Sequence, residues 1–324
     1  MIFDDFLKIY QKKIVDQYNN TICERPLISI SVVTYQHINY IKECLDGILM
    51  QETNFQFEIL LGDDDSTDGT REICIEYAEK YPNQIRLFLH HRENNIKING
   101  SPTGRFNFLY NLYNAHGKYI ALCEGDDYWT DPLKLQKQVD FLEANPDYNI
   151  CFHKVKILRN NSLHEDVNIE KRYNSITNLP ATVNDLIKQG NFMHTPSVMY
   201  RRDKIKIPFE LSYSSVGDYF MHIIVSKNGY IKRIEETMAV YREGVGIYST
   251  LSDKEMQKKI LNYQICILSY LEDPNQKEII LQKILKSIND LNRANILNDK
   301  SFSTQLSMKQ LIKIILLKIK QKFK

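Results

Sequence analysis

Two short acidic runs are the residues of this 324-residue chain best suited to chemistry, Gly62-Asp63-Asp64-Asp65 and Glu124-Gly125-Asp126-Asp127. Adjacent carboxylates repel one another, so a fold that keeps them close must supply a cation, hydrogen-bond donors or solvent. Carboxylates one or two residues apart on a tight turn can aim oxygens at one hard divalent ion, and Gly125 lets the backbone bend close to a phosphate. A diphosphate leaving group calls for such an ion, because negative charge grows on the departing oxygen. Turn and helix-cap chemistry also selects Asp, Ser and Gly, and Ser66, Thr67 or Asp68 could cap the helix that follows the first run. Taken alone the first run fits either reading; a second acidic turn shifts the balance towards a ligand.

Both runs end strand patterns. Leu27 to Val33 reads as a strand, followed by a helix over Tyr40 to Gln51 with Ile41, Leu45, Ile48 and Leu49 on one face. Phe57 to Leu61 is a second strand and runs into the first acidic cluster; a helix from Asp68 stops before Pro82, and Ile85 to Leu89 is a third strand. Arg92 to Gly104 is a loop by composition, Phe106 to Ala115 a helix, and Lys118 to Cys123 a strand that ends at the second cluster. Leu133 to Glu143 reads as a helix and Asn149 to Ile157 as a strand, whereas Arg159 to Asn178 is an excursion without clear pattern. A helix at Val183 to Lys188, a strand at Ser197 to Tyr200, a helix at Tyr219 to Lys227 and strands at Tyr230 to Ile234 and Met238 to Tyr241 follow, with helix from Lys254 onward. This alternation predicts an α/β fold, and ligands of open α/β sheets bind at the carboxyl edge where both clusters lie.

Composition narrows the function. Hydrophobic residues at 43% and charged residues at 25% are ordinary for a globular chain, and a net charge of +2 gives no chain-wide reason to expect nucleic acid. The six cysteines form no CxxC pair, which fits neither a zinc site nor a disulfide framework and suits a reducing cytosol. The N-terminus does not read as a signal peptide, and no stretch reaches the roughly 18 apolar residues of a membrane span. EF-hand spacing, a Walker A sequence and a GxGxxG after a strand are all missing. His90-His91 has no matching third ligand and reads as non-metal.

These motifs resemble, over roughly Leu27 to Ser249, the family 2 glycosyltransferases, inverting enzymes with the GT-A fold. Ser31-Val32-Val33-Thr34-Tyr35-Gln36 looks like the family's opening strand and nucleotide-contacting turn, with Thr34 and Tyr35 as donor contacts. Gly62 to Thr70 is similar to its DDxSxDxT element, in which Asp64 would contact the base. Gly117 to Trp129 resembles the strand and DxD element of a bacterial surface-polysaccharide branch. The resemblance implies that Asp126 contacts the ribose or sugar and that Asp127, with Asp126, holds Mn²⁺ or Mg²⁺ on the diphosphate. Glu124 stands where many members have the first aspartate of DxD, so the resemblance leaves open which oxygen binds metal. Val216-Gly217-Asp218-Tyr219-Phe220 resembles the element carrying the general base, Asp218, for which a helix N-cap is the structural alternative. Arg105 and Asn107 match positions near the nucleotide, His194 falls where it could shape the acceptor pocket, and Tyr241 to Gly246 matches a loop that closes on the diphosphate, with Arg242 as a phosphate contact.

The expected architecture is therefore a GT-A domain over 25–250, Rossmann-like with a mostly parallel sheet flanked by helices. An N-terminal helical extension would occupy 1–24 and a helical region with a basic tail 251–324. Residues Ser301 to Lys324 carry six lysines and no acid, with Lys309, Lys313, Lys320 and Lys324 on one side of a helical wheel and Leu311, Ile312, Ile315, Leu316, Ile319 and Phe323 on the other. Such a segment suits an anionic bilayer and equally suits packing on the domain. The expected activity is inverting transfer from a nucleotide sugar, UDP-linked by preference. The acceptor would be a glycan or an undecaprenyl-diphosphate-linked sugar, met in the cytoplasm or peripherally on the inner face of the plasma membrane. A metal-dependent nucleotidyltransferase and an inactive GT-A-like binding module are the rival readings; the first would need a Gly-rich, Lys/Arg-bearing N-terminal signature that the sequence lacks, and the second would lack the base.

Overall fold

A computed structural model describes residues 1–22, 25–98, 100–245 and 251–293. In chain order, α1 (Phe3–Tyr10) and β1 (Asp16–Gln17) precede β2 (Ile28–Thr34), α2 (Ile41–Leu49), β3 (Phe57–Asp63), α3 (Thr70–Lys80) and β4 (Ile85–Leu89). The small strands β5 (Lys97–Ile98) and β6 (Ser101–Pro102) lead into α4 (Arg105–Asn114), β7 (Tyr119–Glu124), β8 (Tyr128–Trp129), α5 (Lys134–Ala144) and the long β9 (Tyr148–Arg159). Then come β10 (Ser162–Glu165), α6 (Val167–Asn174), α7 (Val183–Gln189), β11 (Met199–Arg201), α8 (Gly217–Ser226), β12 (Tyr230–Arg242), α9 (Asp253–Tyr270) and α10 (Pro274–Arg293). The basic segment after 293 lies outside the described residues, as does the end of the 241–246 motif.

The sheet runs β1-β4-β3-β2-β7-β11-β9-β12-β8, with β10 beside β9. Strands β4, β3, β2 and β7 are mutually parallel, and β12 is parallel to β9. Strand β11 runs against both neighbours, β8 against β12, and β1 against β4. The α/β GT-A architecture with C-terminal helices is the expected one, but the sheet is mixed rather than mostly parallel. Apolar periodicity reports that a strand is buried and says nothing of its direction, so a three-residue antiparallel insert such as β11 leaves no trace in the pattern.

Strand alternation builds two cores. Ile28, Ile30 and Val32 of β2, with Ile59 and Leu61 of β3 and Tyr119, Ala121 and Cys123 of β7, pack under α2, α3 and α5. Leu60, Ile120 and Leu122 face the other way, where α4, α7, α8, α9, α10 and Phe6 of α1 cover them. On that second face Asn107 and Asn111, one helical turn apart, dock α4 onto the strands through Nδ2 bonds to the carbonyls of Gly62 at 2.7 Å and of Leu60 at 3.0 Å. A Cβ on Gly62 would fall 1.8 Å from the Asn107 side chain, so the glycine is what permits this contact.

Two stretches that pattern alone divides or leaves blank are ordered. The expected strands Tyr230 to Ile234 and Met238 to Tyr241 form one strand, β12, whose register against β9 shifts between Ile234 and Thr237 at the exposed Glu235-Glu236 pair. The excursion after Arg159 turns back as β10 against β9 and continues into α6, capped by Asp166, which accepts the N–H groups of Asn168 and Ile169. Among the described residues no helix is long and apolar enough to cross a membrane.

Candidate active site

Parallel pairing aligns the strand ends that matter: Thr34 of β2 lies opposite Asp63 of β3, and Val33 lies opposite Glu124 of β7. Each acidic run thus leaves the sheet at one edge. The turn after β2 stitches the first run in place. Gln36 accepts the N–H groups of Thr67 and Asp68 at its Oε1, its own N–H donates to Ser66 Oγ, and the Ile38 N–H donates to Asp68. Helix α3 begins after Gly69, at φ +104°, with no side-chain cap; Asp68 instead accepts the Thr70 N–H at 3.0 Å.

The three aspartates have different partners. Asp63 binds Arg71 Nε at 2.6 Å, and Asp65, in the left-handed region at φ +65°, accepts the Arg92 N–H at 3.2 Å. Asp64, buried, accepts Arg92 Nη1 at 2.5 Å and Asn95 Nδ2 at 2.8 Å, both from the loop before α4. The Arg92 guanidinium lies over the half-exposed Tyr35 ring, 4.0 Å from its centroid. Burial pushes the Asp64 carboxyl up to about 7 against the pull of Arg92. An aromatic face beside a carboxylate is therefore presented at the end of β2 and β3.

In the second run Glu124, Asp126 and Asp127 each bring an oxygen within 4.8 Å of the others. Asp127 is fully buried; its Oδ1 accepts the Arg242 N–H at 2.8 Å, and its Oδ2 has no protein partner. Burial, then Asp126 and Glu124, hold Asp127 well above the usual carboxylate range. Glu124 opens to solvent at the cleft, and the protein around it, together with Asp126 and Asp218, pushes it up to about 8 against Arg105. The turn is tight because Gly125 packs on Thr34 and His37: a Cβ there would stand 2.7 Å from Thr34 Oγ1 and 2.9 Å from His37 Nδ1, both buried without partners. Three crowded carboxylates with one orphaned buried oxygen fit a hard divalent cation.

Strand β8 pairs with β12, Val240 opposite Tyr128, and this returns Arg242 over the acidic turn. The Arg242 Nη1 donates to the Asp126 carbonyl at 2.5 Å, Nη2 meets Glu43, and the guanidinium sits between Tyr40 and Tyr128. Expected as a phosphate contact, Arg242 is here a buried strut that holds the loop of Asp126 and Asp127. Arg105, the first residue of α4, is also buried; its Nη2 donates to the Ser214 carbonyl at 3.0 Å and its guanidinium presses on Gly217, where a Cβ would lie 1.6 Å from Nη1. Arg105 thereby ties the start of α4 to the start of α8. Asn107, expected near the nucleotide, spends its amide on the Gly62 backbone instead.

Asp218 is not the N-cap of α8. That position is Val216, without a side-chain cap, and Asp218 stands in the first turn with Oδ2 accepting Asn191 Nδ2 at 3.2 Å. It lies within electrostatic range of Glu124 and of Tyr241, so the structure brings Asp218 to the acidic turn. His194 bonds Asp166 at 2.8 Å and stacks on Tyr241 at 4.8 Å, drawing the Asp166 carboxyl down to about 2. His90 is sealed between Phe106 and Tyr110 and pushed down to about 3 by burial.

Sequence reasoning missed Arg92, Asn95, His37 and Asn191, and it marked Tyr241 only as the start of the 241–246 motif. Arg92 and Asn95 lie in a polar loop whose composition does not single them out, and His37 adjoins residues already marked, which is the one signal that could have found it.

The chain is similar in sequence or fold to several known proteins. Residues 29–207 match the family model for glycosyl transferase family 2. An uncharacterised Mycobacterium tuberculosis protein is 38% identical over 215 residues, covering 66% of this chain and 58% of its own length, so the chain spans little more than half of that relative. A Bacillus subtilis protein whose name places it as a glycosyltransferase of teichuronic acid biosynthesis is 33% identical over 118 residues, 36% of this chain and 42% of its own. Among solved structures, Staphylococcus aureus TarS in complex with UDP-GlcNAc matches with a TM-score of 0.56 at 20% identity, covering 83% of this chain and 74% of TarS. The mannosyltransferase PcManGT of Pyrobaculum calidifontis, in complex with GDP-Man and Mn²⁺, matches with a TM-score of 0.54 at 16% identity, covering 95% and 86%. A family model that covers more than half of the chain, on a fold and an acidic edge of this form, leaves one assignment: the chain belongs to glycosyl transferase family 2.

Proposed function

We propose that the chain transfers a sugar, with inversion, from a UDP-linked donor to a glycan or an undecaprenyl-diphosphate-linked sugar in bacterial surface-polysaccharide synthesis. The observation that carries this reading is the convergence of Glu124, Asp126 and Asp127 within 4.8 Å, with a buried, unpartnered Asp127 oxygen and Asp218 nearby. Asp64 accepts an N–H of the base while Tyr35 stacks on it, taking over from Arg92, and Thr34 and Arg105 border the sugar-diphosphate. Asp127 and Asp126, with Glu124 as the third oxygen donor, would hold Mn²⁺ or Mg²⁺, which would supply positive charge against the departing diphosphate. Arg242 keeps their loop in place and reaches the phosphate only by leaving Glu43. Asp218 takes the acceptor hydroxyl proton while that oxygen attacks the anomeric carbon from the face opposite the diphosphate.

UDP-GlcNAc in TarS and Mn²⁺ in PcManGT support the donor class and the metal, and the teichuronic acid relative supports the glycan class. The domain at 25–250 would carry the chemistry and the basic segment 301–324 the contact with anionic lipid on the inner face of the membrane. Nucleic acid has no part in this reading. Thermal shift and UDP or GDP release across a donor panel of UDP-glucose, UDP-galactose, UDP-GlcNAc and GDP-mannose, with and without Mn²⁺, test it. A metal-dependent stabilisation by one UDP-sugar is the expected result; no response to any member refutes it.

A further inference from the structure

Asp218 meets the segment that follows α7, and the patternless excursion after Arg159 braces that segment through α6. Helix α7 ends at Gly190, whose φ of +88° suits glycine and releases the chain as Asn191. The Asn191 side chain is held at both ends: its Oδ1 accepts the Met193 N–H at 3.2 Å, and its Nδ2 donates to Asp218 Oδ2 at 3.2 Å. Because a backbone donor occupies the amide oxygen, the amide nitrogen is the atom left to face the carboxylate. The main chain is tied as well, since the Asn191 carbonyl accepts Arg172 Nη1 of α6 at 2.7 Å. A second tie from the same excursion, Asp166 to His194, supports Tyr241 across the site.

Other titratable groups lie within electrostatic range of Asp218. Glu124 comes from β7, Tyr200 from β11, His222 from one turn along α8, Tyr241 from β12 and Tyr263 from α9, and the Arg105 guanidinium packs on the preceding Gly217. Asn191 Nδ2 gives one Asp218 oxygen a fixed donor, and this sets how the carboxylate is turned among these groups.

We propose that Asn191 is a positioning residue for the reaction: it holds the Asp218 carboxylate in the orientation that takes the acceptor proton, and Arg172 on α6 holds Asn191. This rests on the reading of Asp218 as the base. Proton transfer depends steeply on such geometry.

The test uses the full chain and Mn²⁺-dependent release of UDP or GDP from the donor panel above, with UDP affinity measured by calorimetry. Asn191→Ala is expected to lower kcat by about tenfold or more with UDP affinity unchanged, and Arg172→Ala to lower it by a smaller factor. Placed on Asp218→Asn, Asn191→Ala should cost nothing further, because the group it orients is gone. Additive losses overturn the positioning role while leaving Asp218 as base, whereas wild-type turnover in Asp218→Asn removes the base itself. A crystal structure of Asn191→Ala decides the point independently of any donor: a rotated Asp218 carboxylate supports the inference, and an unmoved one overturns it.

Discussion

Asp127→Asn should make the metal-free protein more stable, the reverse of the usual outcome for a buried polar residue. The amide keeps the shape and keeps Oδ1 as acceptor for the Arg242 N–H, so the strand-to-loop tie at 2.8 Å survives. What is lost is an ionisable carboxyl with an unpartnered oxygen and two carboxylates within 4.8 Å, a group that folding hinders from ionising and the unfolded chain does not. At an effective dielectric near 20, two unit charges at that separation repel by roughly 3 kcal/mol. Glu124, pushed up to about 8, is largely protonated at pH 7, so its repulsion counts only in part, and Asp127 itself resists ionising. A gain of about 1–2 kcal/mol remains, equivalent to roughly 2–6 °C in Tm for a chain of this size. Differential scanning fluorimetry at pH 7.5 measures it, with and without Mn²⁺ and UDP. The wild type should gain Tm with Mn²⁺ plus UDP and the variant should gain little. A lower Tm in the metal-free variant, or an undiminished Mn²⁺ response, refutes the reasoning that these three carboxylates are kept in strain for a cation.

Four further outcomes follow from the same contacts. Asp218→Asn should bind UDP normally and lose about 10²-fold or more in kcat, read by steady-state release and calorimetry. Gly125→Ala drives a Cβ to within 2.7 Å of Thr34 Oγ1, and should cost about 1–3 kcal/mol of stability together with Mn²⁺-dependent UDP binding. Arg92→Ala leaves the buried Asp64 without its counter-charge and strips the Tyr35 stack, so UDP affinity should change by tenfold or so and the Asp64 carboxyl should rise above about 7, followed by carboxylate NMR. His90 is held below its unfolded value, at about 3, so its contribution is complete above pH 6.5 and is lost as pH falls towards 3. His90→Phe should therefore gain on the wild type by about 2 kcal/mol between pH 7 and pH 5 in urea melts, and a pH-independent difference would contradict a neutral buried imidazole.

The carboxylates were legible in the sequence and their supports were not, and the reason is geometric. Asp64, Asp126 and Asp127 each follow a short apolar run that breaks off at a Gly or an acid, so local pattern alone puts them at strand ends. Asp218 came from the family resemblance, since a carboxylate in the first turn of a helix looks the same as a cap until the helix start is seen at Val216. Arg242 shows the opposite limit. Its partners, Asp126 and Glu43, lie more than a hundred residues away in sequence, and only the pairing of β8 with β12 brings them together. No periodicity encodes such a contact, and the same arginine reads from sequence as an open phosphate ligand.

The same geometric reason explains why the excursion after Arg159 matters more than its composition suggests. It contributes no carboxylate to the acidic turn, yet Arg172 reaches the Asn191 carbonyl and Asp166 reaches His194, and these two ties end on Asp218 and Tyr241. Besides these ties the segment packs Tyr173 against Phe152 and Phe192 and pairs Glu170 with Arg233, so it is fastened to β9 and β12 as a hairpin and capped helix of its own. The two acidic runs are thus placed by paired strand ends, and the surroundings of Asp218 and Tyr241 by side-chain ties from a segment that pairs elsewhere in the sheet. That division explains why motif reading finds the two acidic runs and stops short of Asn191 and its supports.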